Sequence, residues 1–366
     1  LEVYRERIEA LLPEYEFCLP EANEGGILID WKFAVMPGAD AIEAVKLLPG
    51  VRDVAVLEPV LPTHSSRHCE VPFSSAEQLL EYAGAHPMEP WDYAVRYESC
   101  RGGMDEKAVY SQMDRILTIM ETAVDTGLNG TRYRDRILGA QSGRIESAAK
   151  KKRLIPDPLL NEIIKCITAV MESKSSMGVI VAAPTCGSCG CLPGTVIGLS
   201  RALDLTREKM VQGLLVAGLI GVFFAEQATF SAEVAGCQVE CGAGSGMAAA
   251  AVTAMMGGTI ENCVDAASVA MQNITGLACD PVGNRVEVPC LGKNVMGGSN
   301  AISSANMILA GYNKVIPLDE TIKAIYEIGI SLPLELRCTF GGLGKTRTAM
   351  EILKRTETHF EGEAEK

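Results

Sequence analysis

Gly213-Leu214-Leu215-Val216-Ala217-Gly218-Leu219-Ile220-Gly221-Val222-Phe223-Phe224-Ala225 is the longest apolar run in the 366-residue chain. It is shorter than the roughly 20 residues that a membrane-spanning helix needs. It also lacks the period-two alternation of a half-buried strand, so it reads as a buried helix. Thr206 stands ahead of it where an N-cap belongs, and Thr259 stands likewise before a second apolar-periodic run. Asp319 takes the same place before Ile322, Ile325, Tyr326 and Ile328, with Gly329 as a stop. From about residue 158 onward the pattern is nearly all helix, broken by Gly-bearing loops at 184–194, 235–246, 280–298 and 341–344. Upstream, Met113, Ile116, Leu117, Met120 and Ala123 fall on one face of a helix over 110–126. Lys150-Lys151-Lys152-Arg153 reads as a solvated turn or helix end. The expected fold class is mainly α.

The N-terminal stretch differs. Gly26–Trp31 reads as a strand, Ala39–Leu48 as a helix closed by Pro49-Gly50, and Val51–Leu57 as a second strand. Together they predict a small α+β unit over 1–72, of β-α-β order, with 62–67 as linker and a helical domain over 73–366.

Composition narrows the function classes. With 48% hydrophobic and 22% charged residues, the chain can bury a large core, which excludes wholesale disorder. A net charge of −13 argues against a nucleic-acid surface, and 5% aromatic residues leave little for base stacking. No membrane span is expected. The 36 glycines point to closely approaching helices. Thirteen cysteines in a long helical chain suit a reducing cytoplasm with metal or catalytic thiols better than a secreted disulfide scaffold.

Gly341-Gly342-Leu343-Gly344-Lys345-Thr346 resembles a phosphate loop only at its end, because the glycine required five positions before Gly344 is Thr339. The cysteines carry more. Cys186, Cys189 and Cys191 form a CxxCxC loop that can aim several thiolates at one metal. Cys237, Cys279 and Cys290 each edge a Gly- or Pro-bearing loop but lie far apart in sequence. Cys18, Cys69, Cys100, Cys166 and Cys263 read as small buried hydrophobes. His64, His68, His86 and His359 show no metal-ligand spacing.

The segments Ala235-Gly236-Cys237-Gln238-Val239-Glu240, Gly244-Ser245-Gly246-Met247, Gly276-Leu277-Ala278-Cys279-Asp280-Pro281-Val282, Val286-Glu287-Val288-Pro289-Cys290 and Asn294-Val295-Met296-Gly297 resemble the α subunit or α domain of iron–sulfur-dependent L-serine dehydratases. The similarity runs over about 71–350. It implies a helical catalytic domain holding a 4Fe–4S cluster through Cys237, Cys279 and Cys290. It also implies an amino-acid-degrading lyase that converts L-serine, or a close β-hydroxy amino acid, to pyruvate and ammonia. The alternatives are a noncatalytic metal- or redox-sensing subunit and a related β-eliminase acting on L-cysteine or L-threonine. A homo-oligomer or a β-type partner subunit is expected, since the family's Ser-Ser-His-Thr motif has only a compositional echo in Thr63–His68.

Around that centre, Thr185, Ser188, Lys293 and Asn294 are the candidates for substrate binding, and Lys293, Glu233 and His68 for proton transfer, with Glu240 beside Glu233. Cys186, Cys189 and Cys191 replace residues that are small and thiol-free in the family. They line the pocket, reach the fourth iron or hold a separate metal, and pocket-lining is the reading adopted. Cys338 stands near a position where the family has glutamate and is a further candidate thiol.

Overall fold

Residues 2–12, 17–23, 26–33, 36–56, 69–133, 136–339 and 341–364 are described by a computed structural model. The chain divides into two compact units, Leu1–Pro62 and Thr63–Lys366.

In the first unit, helix α1 (Glu2–Glu9) precedes strands β1 (Phe17–Asn23) and β2 (Gly26–Lys32), and helix α2 (Ala39–Lys46) follows. The strands pair antiparallel, with Phe17 opposite Lys32 and Asn23 opposite Gly26. The strand expected at 26–31 and the helix at 39–48 are therefore present, but the second strand expected at 51–57 is not. Its described part, 51–56, has no ladder partner among the described residues. There Val51 and Val54 are the half-buried positions, three apart rather than two. Asp53 also bonds the neighbouring Val54 amide through its own carboxylate, which competes with strand pairing. The order is thus a hairpin followed by a helix.

The second unit is helical: α3 (Ala76–Ala85), α4 (Pro90–Gly102), α5 (Glu106–Leu128), α6 (Ser142–Lys150), α7 (Pro158–Ser175) and α8 (Cys191–Leu203) come first. Then follow α9 (Arg207–Gln227), α10 (Ala232–Ala235), α11 (Ala243–Met255), α12 (Ile260–Asn273), α13 (Cys290–Leu309), α14 (Leu318–Ser331) and α15 (Arg347–Ala364). Val71 and Phe73 already pack against this helical core. At its centre α11 is buried along its whole length, enclosed by α8, α9, α12 and α13. Such enclosure needs small residues, and Ala243–Ala251 supplies alanine, glycine, serine and one methionine.

Glycine sets the closest approaches. A Cβ on Gly127 of α5 would lie 2.0 Å from the Ala169 carbonyl oxygen of α7, and one on Gly194 of α8 would lie 2.5 Å from the Ile167 Cα. The apolar run at 213–225 lies within α9, which polar residues extend at both ends to 21 residues. By length and composition that helix could cross a membrane, but its apolar window is mostly buried inside the protein.

Capping explains the boundaries. Thr206 accepts a hydrogen bond from the Lys209 amide, and Thr259 forms a reciprocal capping box with Asn262. Asp319 does not cap its own helix, which begins at Leu318 after Pro317. Its carboxylate instead accepts from the Ala76 and Glu77 amides at 3.1 and 2.9 Å, closing the start of α3. Gly329 does not stop α14 either: it is buried, and a Cβ there would meet the Ala235 carbonyl oxygen at 2.4 Å.

Candidate metal centre

Three loops of the helical unit bring the site together, fixed by backbone hydrogen bonds and by the side chains of Gln238 and Asn294. Gly236 has φ +76°, which favours glycine, and it turns the chain from α10 into Cys237. The five residues Gln238–Gly242 then form a π-helical turn before α11, a geometry enriched at functional sites. Gln238 ties this loop to the one carrying Cys279. Its amide donates to the Leu277 carbonyl at 3.1 Å, and its side-chain oxygen accepts from the Gly276 amide at 2.6 Å. A second strap follows, in which the Cys279 amide donates to the Leu336 carbonyl and the Cys338 amide donates to the Cys279 carbonyl, both at 2.8 Å. That bridge draws Cys338 beside Cys279.

The third loop begins α13 at Cys290. One turn on, the fully buried Asn294 accepts from the Gly190 and Cys191 amides at 3.1 and 2.9 Å. Its amide nitrogen donates to the Gly187 and Cys290 carbonyls at 2.8 and 2.9 Å. Asn294 is thus the clamp that holds the 187–191 loop on Cys290, with its polar atoms engaged inside the protein.

Cys237, Cys279 and Cys290 are all buried, at 2%, 4% and 6% exposure. The Cys237 sulfur lies 3.6 Å from that of Cys241 and 3.9 Å from Glu240 Oε2. Cys237, Glu240 and Cys279 place one donor atom each within 4.8 Å of one another, the only such set among the described residues. The Cys279 thiol also hydrogen-bonds to Cys338. Cys290 stands outside that set but within electrostatic reach of Glu240 and Cys338.

Without a cation the thiols favour the neutral form. The hydrogen bond with Cys241 pushes Cys237 well up, and that with Cys237 does the same to Cys279. Burial pushes Cys290 up to about 11, against the charges of Lys174 and Lys293. A soft cation reverses this preference, because it binds thiolates and releases their protons.

The two acidic candidates separate clearly. Glu233 is exposed, and hydrogen bonds from its own amide and from the Ser231 hydroxyl hold its carboxyl below the usual range. Glu240 is half-buried, and loss of water raises its carboxyl above the usual value. The Thr185 hydroxyl donates to Glu240 Oε1, and Thr185 pairs with the buried Ser188 hydroxyl at 3.0 Å. Gly187 leaves the space that this requires, since a Cβ there would sit 2.2 Å from Glu240 Oε1.

A raised folded-state value means that Glu240 favours stability most below its ordinary 4.5, an advantage lost as pH rises through the folded value. In metal-free protein, Glu240→Gln is therefore expected to raise the melting temperature over wild type at about pH 8 and to lose that gain near pH 4. Melting curves at both values check this, and an equal difference at both would contradict it.

The remaining candidates are dispersed. Lys293 donates to Asp280 Oδ1 at 2.7 Å and to the Ala278 carbonyl at 2.6 Å, so its charge is already paired. His64 and His68 lie outside the described residues. In the CxxCxC loop Cys186 is exposed, the fully buried Cys189 lies 3.8 Å from the Met171 sulfur, and the fully buried Cys191 faces Gly297. Their sulfurs do not form one donor set. Asp280 Oδ2 accepts from the Leu343 amide at 3.0 Å, so a carboxylate occupies the mouth of the phosphate-loop-like turn.

Sequence reasoning missed two residues. Gln238 stood within the Ala235–Glu240 segment with no role of its own assigned. Lys174, a lone lysine at the end of α7, donates to the Val286 carbonyl, and its charge acts on Cys290, Cys189 and Glu240.

Residues 53–343 match the family described as serine dehydratase alpha chain. The probable L-serine dehydratase alpha chain of Bacillus subtilis is 37% identical over 284 residues, which cover 77% of this chain and 95% of that protein. The L-serine dehydratase alpha chain of Peptoniphilus asaccharolyticus is 32% identical over 283 residues, covering 76% and 96%. L-serine dehydratase 1 of Escherichia coli is 29% identical over 280 residues, covering 74% of this chain and 61% of that longer protein.

Proposed function

This chain belongs to the serine dehydratase alpha-chain family, and we propose that it is an L-serine ammonia-lyase whose 4Fe–4S cluster is bound by Cys237, Cys279 and Cys290. The observation that carries the reading is the meeting of Cys237 and Cys279, from loops remote in sequence, around a carboxylate of raised pKa. The donor chemistry fits such a cluster: buried soft thiols converge from separate loops, and Cys290 heads a helix clamped beside them. When held by Cys237, Cys279 and Cys290, such a cluster would supply Lewis acidity for loss of the β-hydroxyl.

The chain's own groups perform the rest. Glu240 takes the α-proton, because burial brings its basicity closer to the working pH than an exposed carboxylate's. Thr185 fixes the orientation of that carboxylate, and Asn294 holds the 187–191 loop down on Cys290. Lys293 is paired, and Glu233 is too weak a base. Loss of the α-proton and hydroxide leaves aminoacrylate, which tautomerises and hydrolyses to pyruvate and ammonia.

Thirteen unpaired cysteines suit a reducing cytoplasm. The exposed apolar side chains Val234, Leu334 and Leu343, on segments flanking the thiols, suit a partner subunit or a second copy. Anaerobically reconstituted protein is expected to release pyruvate and ammonia in equal amounts from L-serine, with a higher kcat/KM than for L-threonine or L-cysteine. A preference for L-cysteine would replace this reading with the β-eliminase one, and no ammonia from any of the three would defeat it.

A further inference from the structure

We propose that Cys237, Cys279 and Glu240 also form a site for a single Zn2+ ion, occupied when no cluster is present and excluding the cluster while it is filled. The ion site stands on geometry alone; the exclusion rests on the proposed cluster ligands, two of which it shares.

Tetrahedral zinc with Zn–S near 2.3 Å and Zn–O near 2.0–2.2 Å sets its donors about 3.5–3.8 Å apart. Glu240 Oε2 lies 3.9 Å from the Cys237 sulfur, and the three donor atoms lie within 4.8 Å of one another. Small side-chain movements close that gap. Thiolates on different irons of one cluster are instead held apart by the inorganic core, and Cys290 stands outside the tight set.

The carboxylate is also oriented as metal ligands usually are. The Thr185 hydroxyl holds Oε1 and Gly187 makes room for it, while Oε2 faces the thiols. Two thiolates and one carboxylate balance the ion's charge with one negative charge to spare, and three protein ligands leave a fourth corner for water. Zinc so bound ties up two cluster thiols together with the proposed proton acceptor.

The full-length, cluster-free, reduced chain, titrated anaerobically with Co2+ and then Zn2+, tests this. One Co2+ per chain is expected, with thiolate charge-transfer and tetrahedral ligand-field absorption, displaced by one Zn2+. Zinc should shield Cys237 and Cys279 from alkylation while Cys290 reacts at its metal-free rate, a readout that needs no variant. Glu240→Gln should weaken binding more than about tenfold, and Cys290→Ser should leave it unchanged. Absence of stoichiometric tetrahedral cobalt, equal shielding of Cys290, or wild-type affinity in Glu240→Gln would each overturn the proposal. Serine turnover enters none of these measurements, so failure of the lyase reading is seen separately.

Discussion

Cys279→Ser is expected to lower kcat/KM for L-serine by roughly a thousandfold or more, since it removes one of the three thiolates assigned to the cluster. The serine hydroxyl stays protonated near neutrality and is a hard, weak ligand for iron. Cys279 also lies where the two straps meet. Its amide and carbonyl hold the 336–338 segment, and its sulfur faces Cys237 and Cys338. The substitution keeps both backbone bonds, so helical content should be unchanged while pyruvate formation and iron content fall together. Cys100, half-buried on α4 and outside the donor set, provides the contrast. Cys100→Ser should retain wild-type turnover. Full activity in Cys279→Ser would remove Cys279 from the centre.

The second large effect concerns the fold. Gly127→Ala should destabilise the helical unit by roughly 3 kcal/mol or more, because the new methyl meets the Ala169 backbone rather than a yielding side chain. The 2.0 Å approach to that carbonyl oxygen lies far inside van der Waals contact, so α5 and α7 must separate. Gly143 on α6 is the control, since a Cβ there meets nothing within 4 Å. Gly143→Ala should be neutral or stabilising by up to about 1 kcal/mol through helix propensity. Chemical denaturation of the two variants distinguishes packing from propensity, and equal midpoints would contradict the packing explanation.

The helical architecture was legible because apolar periodicity and N-cap chemistry are local. Thr206 and Thr259 cap as their positions foretold. Asp319 misled for the opposite reason: its carboxylate serves a helix more than 240 positions upstream, a tertiary arrangement that local spacing cannot report. The strand expected at 51–57 failed on the same ground, since apolar content alone does not reveal that Val51 and Val54 are the half-buried pair.

At the site, spacing was a poor guide. The compact CxxCxC loop sends Cys186 outward, Cys189 toward Met171 and Cys191 toward Gly297. Cys237 and Cys279, far apart in sequence, meet because Gln238 joins their loops. Only the loop contexts and the family resemblance singled out that pair. Glu233 and Glu240 looked equivalent in sequence. Burial and the Thr185 hydroxyl separate them, and both depend on packing.

Iron and acid-labile sulfide, counted per chain after anaerobic reconstitution of wild type and of Cys237→Ser, Cys279→Ser and Cys290→Ser, test most directly whether the three loops build one cluster. The prediction is a full 4Fe–4S complement in wild type, with serine turnover proportional to it, and loss of both in each variant. Serine turnover without iron, or a full complement in the variants, would contradict it.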